Sequence, residues 1–165
     1  MTLWKMDKCR YQNKAPLFQY FFRKAQEARF FKLFFRIVYY YLSHRRHIDL
    51  SPKTKVSGGL YIGHPYNITI NPNAVIGKNV NIHKGVTIGQ ENRGKRKGCP
   101  TISDNVWIGI NATIVGNIKI GTDVLIAPNA YVNFDVPDHS IVIGNPGIIK
   151  SVEFATKDYI NNTIE

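Results

Sequence analysis

Cysteine is scarce: Cys9 and Cys99 are the only two in 165 residues. That is too few for a disulfide framework, and a reducing cytoplasm is the expected setting. Residues 1–14 are basic, but they contain no apolar core and no small-residue cleavage site, so they do not read as a secretory signal. The longest apolar run, within residues 16–42, is about half of the ~20 residues that cross a bilayer. A phosphate-binding G-x-x-x-x-G-K-[ST] loop is missing, as is a dinucleotide fingerprint, which argues against nucleotide hydrolysis and hydride transfer. No metal-ligand spacing is visible.

Acidic residues are scarce in one region only. Residues 1–55 hold 13 Lys and Arg against 3 Asp and Glu, whereas residues 56–165 hold 9 against 8. Thirteen of the twenty aromatic residues also precede residue 56. The composition therefore divides the chain into a basic aromatic extension (1–55), a nearly neutral main domain (56–150) and a short tail (151–165).

The main domain is built on a period of six. One aliphatic lane reads Ile70, Ile76, Ile82, Ile88, then Ile102, Ile108, Ile114, Ile120, Ile126 and Val132. A second lane, four residues behind, reads Ala74, Val80, Val86, Val106, Ala112, Ile118, Val124 and Ala130. Gly, Asn and Asp fill the gaps, as in Gly77-Lys78-Asn79 and Gly121-Thr122-Asp123. This is neither a helical period nor plain alternation. It describes strand–turn units, three to a coil, stacked into a triangular prism of roughly five coils. The lane breaks between Ile88 and Ile102, so Gly89 to Pro100 must leave the prism as a loop. A loop thrown out from a rigid scaffold is often functional.

Residues 60–150 resemble the serine acetyltransferase branch of the hexapeptide-repeat acyltransferases. The match is carried by Ile62-Gly63-His64, Ile70 to Val75, Val86-Thr87-Ile88-Gly89, Cys99-Pro100-Thr101-Ile102, Val106-Trp107-Ile108-Gly109, Ala112 to Gly121 and Gly144-Asn145-Pro146. The resemblance implies an all-β, left-handed parallel β-helix, a homotrimer, and acetyl-CoA as cosubstrate in clefts between protomers. Three departures stand out. The long acidic helical domain of that family is replaced by a short basic one. Gly63 stands where the family has Asp, and Cys99 stands where it has a second histidine that contributes to serine recognition. Short relatives of this kind resemble O-acetyltransferases of surface-polysaccharide pathways. The favoured acceptor is therefore a saccharide hydroxyl, with L-serine as the alternative. A non-catalytic hexapeptide scaffold and a membrane-surface module also remain open.

Acetyl transfer from a thioester needs a base for the hydroxyl proton and donors for the oxyanion, and a neutral imidazole suits the first task. By resemblance His64 is that base, although counting back from Ile70 places it in the inward lane. The functional reading therefore requires an irregular strand at Pro65. Glu91 is a candidate to orient the ring. His83 should face outward and either contact the acceptor or sit free on the surface. Cys99 is read as acceptor-pocket wall, plain loop residue or, less readily, nucleophile. His139 reads as structural, and His44 and His47 belong to the basic patch. For the cofactor, Arg93, Lys95 and Lys150 can meet phosphates, with Arg93 and Lys95 equally readable as a solvated charge run. By resemblance Gly89, Ala112 and Ala130 offer close approach to pantetheine.

Residues 16–42 are predicted to form one helix. Phe31, Phe34, Phe35, Val38, Tyr41 and Leu42 form one apolar face, and Phe30, Leu33, Ile37 and Tyr40 a second. Arg29, Lys32 and Arg36 make the stripe between them. Such a helix either packs in the trimer or on the prism, or makes peripheral membrane contact next to a lipid-linked sugar. Nucleic-acid binding is a poorer account, because the charge lies among bulky aromatics with no recognised motif.

Overall fold

The computed structural model describes residues 1–12 and 14–165. The six-residue lanes become the inside of a parallel β-helix. The first coil comprises β1 (Ile48–Leu50), β2 (Lys55–Val56) and β3 (Tyr61–Gly63), and the second β4 (Ile68–Ile70), β5 (Val75–Ile76) and β6 (Asn81–His83). The third is β7 (Thr87–Gly89), β8 (Thr101–Ile102) and β9 (Val106–Ile108), and the fourth β10 (Thr113–Val115), β11 (Lys119–Ile120) and β12 (Val124–Ile126). The fifth has β13 (Tyr131–Val132) and β14 (Ser140–Ile143), and its middle side is a single bridge from Val136 to Ile120. The first face stacks β1-β4-β7-β10-β13, the second β2-β5-β8-β11, and the third β3-β6-β9-β12-β14. An antiparallel strand, β15 (Ile148–Ser151), closes the third face.

Register keeps like over like. Ile62, Ile82, Ile108 and Ile126 form one buried column, and Ile70, Ile88, Ile114 and Val132 another. Every residue of both expected lanes is buried. Each coil covers its apolar face only with its neighbours, so the core is a continuous rod. The corners need left-handed backbone. Asn79, Asn105, Asp123 and His139 all have φ of 55° on one edge, and Asn, Asp and His are the side chains that most often adopt that region. Close approach explains Gly109, whose Cβ would lie 2.6 Å from the backbone nitrogen of Pro128.

The coils begin at Ile48, ahead of the compositional break near residue 55, because β1 pairs in register with β4. The front segment is not one helix but three: α1 (Leu3–Arg10), α2 (Leu17–Glu27) and α3 (Lys32–His44). The expected helix over 16–42 breaks at 28–31, where Phe31 takes φ 55°. A buried ion pair between Asp7 of α1 and Arg23 of α2 ties both helices to the first coil. Asp7 accepts from Arg23 Nε at 2.7 Å and Nη2 at 3.0 Å, from Gln19 at 2.9 Å and from the Leu60 N–H at 3.0 Å. Arg23 also donates to the carbonyls of Val56 and Ser57. Both charges are fully buried, and the pairing offsets their desolvation.

The tail runs back along the Asn79–Asp123 edge. Asp123 accepts from the N–H groups of Ala155 and Thr156 and from the Thr156 hydroxyl. Further along, the Asn79 side chain pairs with the backbone of Ile164 through both its amide nitrogen and its oxygen.

Candidate active site

His64 owes its position to two extra residues. Ile62 pairs with Ile82 and Thr69 with Thr87, so the second coil takes seven residue steps where the third takes five. The surplus bulges outward between β3 and β4. Ile62 and Ile68 keep the inward places, and His64, at φ 53°, is exposed. The irregularity expected around Pro65 is thus present, and the imidazole stands outside the prism. Both sides of the bulge are clamped. The N–H of Asn67 donates to the Arg46 carbonyl at 2.9 Å, and the N–H of Gly85 donates to the Tyr66 carbonyl at 3.1 Å.

His83, one coil further on, is half-buried. Its Nδ1 lies 3.0 Å from the Ile108 carbonyl, and its ring packs 4.7 Å from that of Trp107. Burial pushes its pKa down, and the nearby His64 adds to this against the opposing Ile108 hydrogen bond. A neutral ring donating from Nδ1 leaves the Nε2 lone pair as an acceptor. The ring rests above Gly63, the residue before His64. It also borders a cavity of about 660 Å³ between the third face, the end of α1 and the tail, lined among others by Arg10, Tyr61, Asn81, Trp107 and Tyr159.

The other expected residues fall elsewhere. Cys99 lies at the end of the loop before β8, on the edge between the first and second faces, while His64 lies between the third and first. Burial pushes the Cys99 thiol up, which disfavours the thiolate a nucleophile needs. Glu91 caps its own loop by accepting from the N–H groups of Asn92 and Arg93 at 2.9 and 3.2 Å. It is spent there and is not placed to orient His64 of the same protomer. Arg93 and Lys95 are exposed in that loop, beside a 3₁₀ turn at Gly94–Arg96. The loop folds back so that the Arg96 carbonyl accepts from the N–H of Asn117. Lys150 is exposed on β15, on the third face.

Ala112 and Ala130 sit in the corners of the prism. Both are buried second-lane residues whose methyl groups point into the prism. Their carbonyls accept from Thr87 and Thr113, and their N–H groups donate to Gly109 and Ala127. The methyl groups therefore line the inside of the corners, and any approach of pantetheine here would be to the backbone. The Gly89 carbonyl likewise accepts from Gly116. Sequence reasoning missed Gly63 as the seat of the His83 ring, and missed Tyr61 and Trp107 beside it. Their outward positions flanking the Ile62 and Ile108 column were the available signal.

The six-repeat bacterial transferase hexapeptide family model matches residues 99–133. The chain is 40% identical to the serine acetyltransferase of Staphylococcus aureus (strain Mu50) over 102 residues, 62% of this chain and 48% of that protein. It is also 40% identical to the serine acetyltransferase of Staphylococcus epidermidis over 106 residues, 64% of this chain and 50% of that one. The chain thus spans about half the length of the curated relatives it matches. Among solved structures, serine acetyltransferase from Brucella abortus aligns with a TM-score of 0.74 and 27% identity, covering 93% of this chain and 70% of that one. The coenzyme A complex from the same organism aligns at 0.73 and 26%, covering 92% and 67%. The coil is left-handed, as in those structures.

Proposed function

From a chain with the left-handed β-helix fold and a match to the bacterial transferase hexapeptide model, we propose an acetyl-CoA-dependent O-acetyltransferase. The carrying observation is the exposed imidazole of His64, thrown out of the prism by a two-residue bulge at the place where relatives carry their base. In this reading His64 takes the proton of the acceptor hydroxyl as its oxygen attacks the thioester carbonyl. Backbone N–H groups hold the oxyanion, and the imidazolium returns the proton to the departing thiolate. No covalent intermediate on Cys99 is required.

His64 and the loop carrying Cys99, Arg93 and Lys95 lie on different edges of one prism. We take the complete site to form between neighbouring protomers of a homotrimer, with the loop of one facing His64 of the next. Arg93 and Lys95 then meet the phosphates of coenzyme A.

The first acceptor is L-serine, the substrate class named for the relatives. A saccharide hydroxyl is the second reading. Cys99, standing where those enzymes have a serine-recognising histidine, favours it, because a thiol makes a poor partner for a carboxylate. Thiol release from acetyl-CoA, measured with L-serine, free monosaccharides and nucleotide sugars, separates the two. His64→Ala is expected to lower turnover by about 10²–10⁴-fold while Cys99→Ala retains it. Equal turnover in His64→Ala and wild type, with any acceptor, contradicts the assignment.

A further inference from the structure

Helix α3 has two faces, and only one is covered. Phe35, Val38, Tyr39 and Leu42 turn inward, with Tyr39 fully buried against Phe22 and its hydroxyl bonded to the Leu50 carbonyl. Phe30, Phe31, Leu33, Phe34, Ile37 and Tyr41 turn outward and are 56–81% exposed. The first expected apolar face is therefore split, with Phe31, Phe34 and Tyr41 in solvent. Scattered apolar residues on a surface need no explanation, but a contiguous patch of large ones does.

The charge around this patch is one-sided. No Asp or Glu occurs between Glu27 and Asp49, whereas Arg29, Lys32, Arg36, Arg45 and Arg46 all do. Lys32 and Arg36 lie one turn apart beside Leu33 and Ile37. Arg45 extends over Tyr41, donating to its hydroxyl at 3.0 Å. Placed face to face with itself, the patch would meet the same sign of charge and no carboxylate to pair, which disfavours two-fold self-association through it. An anionic lipid surface satisfies both halves at once, with aromatic and aliphatic groups below the headgroups and cations among the phosphates. No helix among the described residues is long and apolar enough to cross a membrane. A helix of 13 residues with this pattern lies in the plane of the interface.

We infer that the outer face of α3 docks the protein on an anionic bilayer. The docking also orients the candidate site. Helix α3 runs through Arg46 and His47 into β1, and their carbonyls accept from Asn67 and Ile68 at the foot of the His64 bulge. A docked α3 therefore brings the His64 edge close to the membrane surface, whichever acceptor is used.

The test uses the full chain and sedimentation with vesicles of mixed phosphatidylglycerol and phosphatidylcholine, or of phosphatidylcholine alone. Wild type is expected to pellet with the anionic vesicles and less with the neutral ones. The triple variant Phe30→Ser, Leu33→Ser, Ile37→Ser should lose partition by at least about 10-fold. Lys32→Gln with Arg36→Gln should lose partition at low salt and converge with wild type in high salt. All of these side chains except Arg36 are largely exposed, so folding should survive, and circular dichroism and light scattering check fold and assembly. Failure of wild type to pellet overturns the inference, as does equal pelleting of the triple variant. A triple variant that changes oligomeric state with no change in pelleting assigns the patch to a second copy and also overturns it. Acetyl transfer to soluble acceptors in the triple variant should match wild type, which keeps this test apart from that of the enzymatic reading.

Discussion

The imidazole of His83 lies directly over Gly63: a Cβ at Gly63 would stand 2.7 Å from its Cδ2 and 2.8 Å from its Nε2. The two residues are register partners in adjacent coils. The absence of a side chain at Gly63 leaves room for a ring from the next coil. Gly63→Ala should push that ring away from the Ile108 carbonyl and Trp107, costing about 1–2 kcal/mol. In a His83→Ala background the clash disappears, so a double-mutant cycle read by urea unfolding should show a coupling near 1 kcal/mol. Additive effects would mean that the ring does not depend on that glycine.

The Asp7–Arg23 pair invites a second measurement. Removing one partner leaves an uncompensated charge against Leu60 and the Val56 carbonyl. Asp7→Ala should cost about 3–5 kcal/mol in equilibrium unfolding. Replacing both residues with apolar ones of similar volume, Asp7→Leu with Arg23→Met, should recover much of the loss. A double variant as unstable as Asp7→Ala would show that the buried hydrogen bonds matter more than the charge balance.

The prism was legible because burial on a coil repeats at every sixth residue, and water is excluded from each of those places alike. Ile70 through Val132 announced the fold, and the gap from Gly89 to Pro100 announced the loop. The bulge was legible only as a conflict, since counting from Ile70 sends His64 inward until two residues are removed from the count. The inward turn of the Ala112 and Ala130 methyl groups was not legible, because small size suits an inside corner as well as a ligand groove, and sequence does not say which way Cβ points. The break at Phe31 carried no signal at all, since neither Gly nor Pro marks its left-handed backbone. Asp7 and Arg23 sit 16 residues apart on separate helices, beyond any local pattern.

Asp123 links the tail to acid stability. Burial pushes its carboxyl up, but hydrogen bonds from the Thr156 hydroxyl and N–H, from His139 and from Ala155 outweigh this and hold its pKa below the ordinary value. A depressed folded-state pKa means the tail's anchor is at full strength above the unfolded carboxylate pKa of about 3.9 and weakens as pH falls through the lower folded value. Amide exchange at Ala155 and Thr156 should therefore stay protected at neutral pH and lose protection below about pH 4. In Asp123→Asn those amides should exchange faster at neutral pH and show little further acid dependence. Protection in that variant equal to wild type would place the anchor elsewhere in the tail.

Arg93 and Lys95 distinguish a phosphate-binding loop from a merely solvated one. Exposed cations contribute modestly and are screened by salt, so Arg93→Ala with Lys95→Ala should raise KM for acetyl-CoA by about 3–10-fold at low ionic strength and less at high. The proton transfer assigned to His64 is untouched, so kcat should hold. The informative comparison uses acetyl-CoA lacking its 3′-phosphate. If these side chains meet that group, the wild-type enzyme loses affinity for the truncated cosubstrate, and the double variant responds equally to both forms. If the double variant keeps the wild-type KM for intact acetyl-CoA, the loop's charge serves solubility alone, and the cofactor's phosphates must be sought nearer Lys150 on β15.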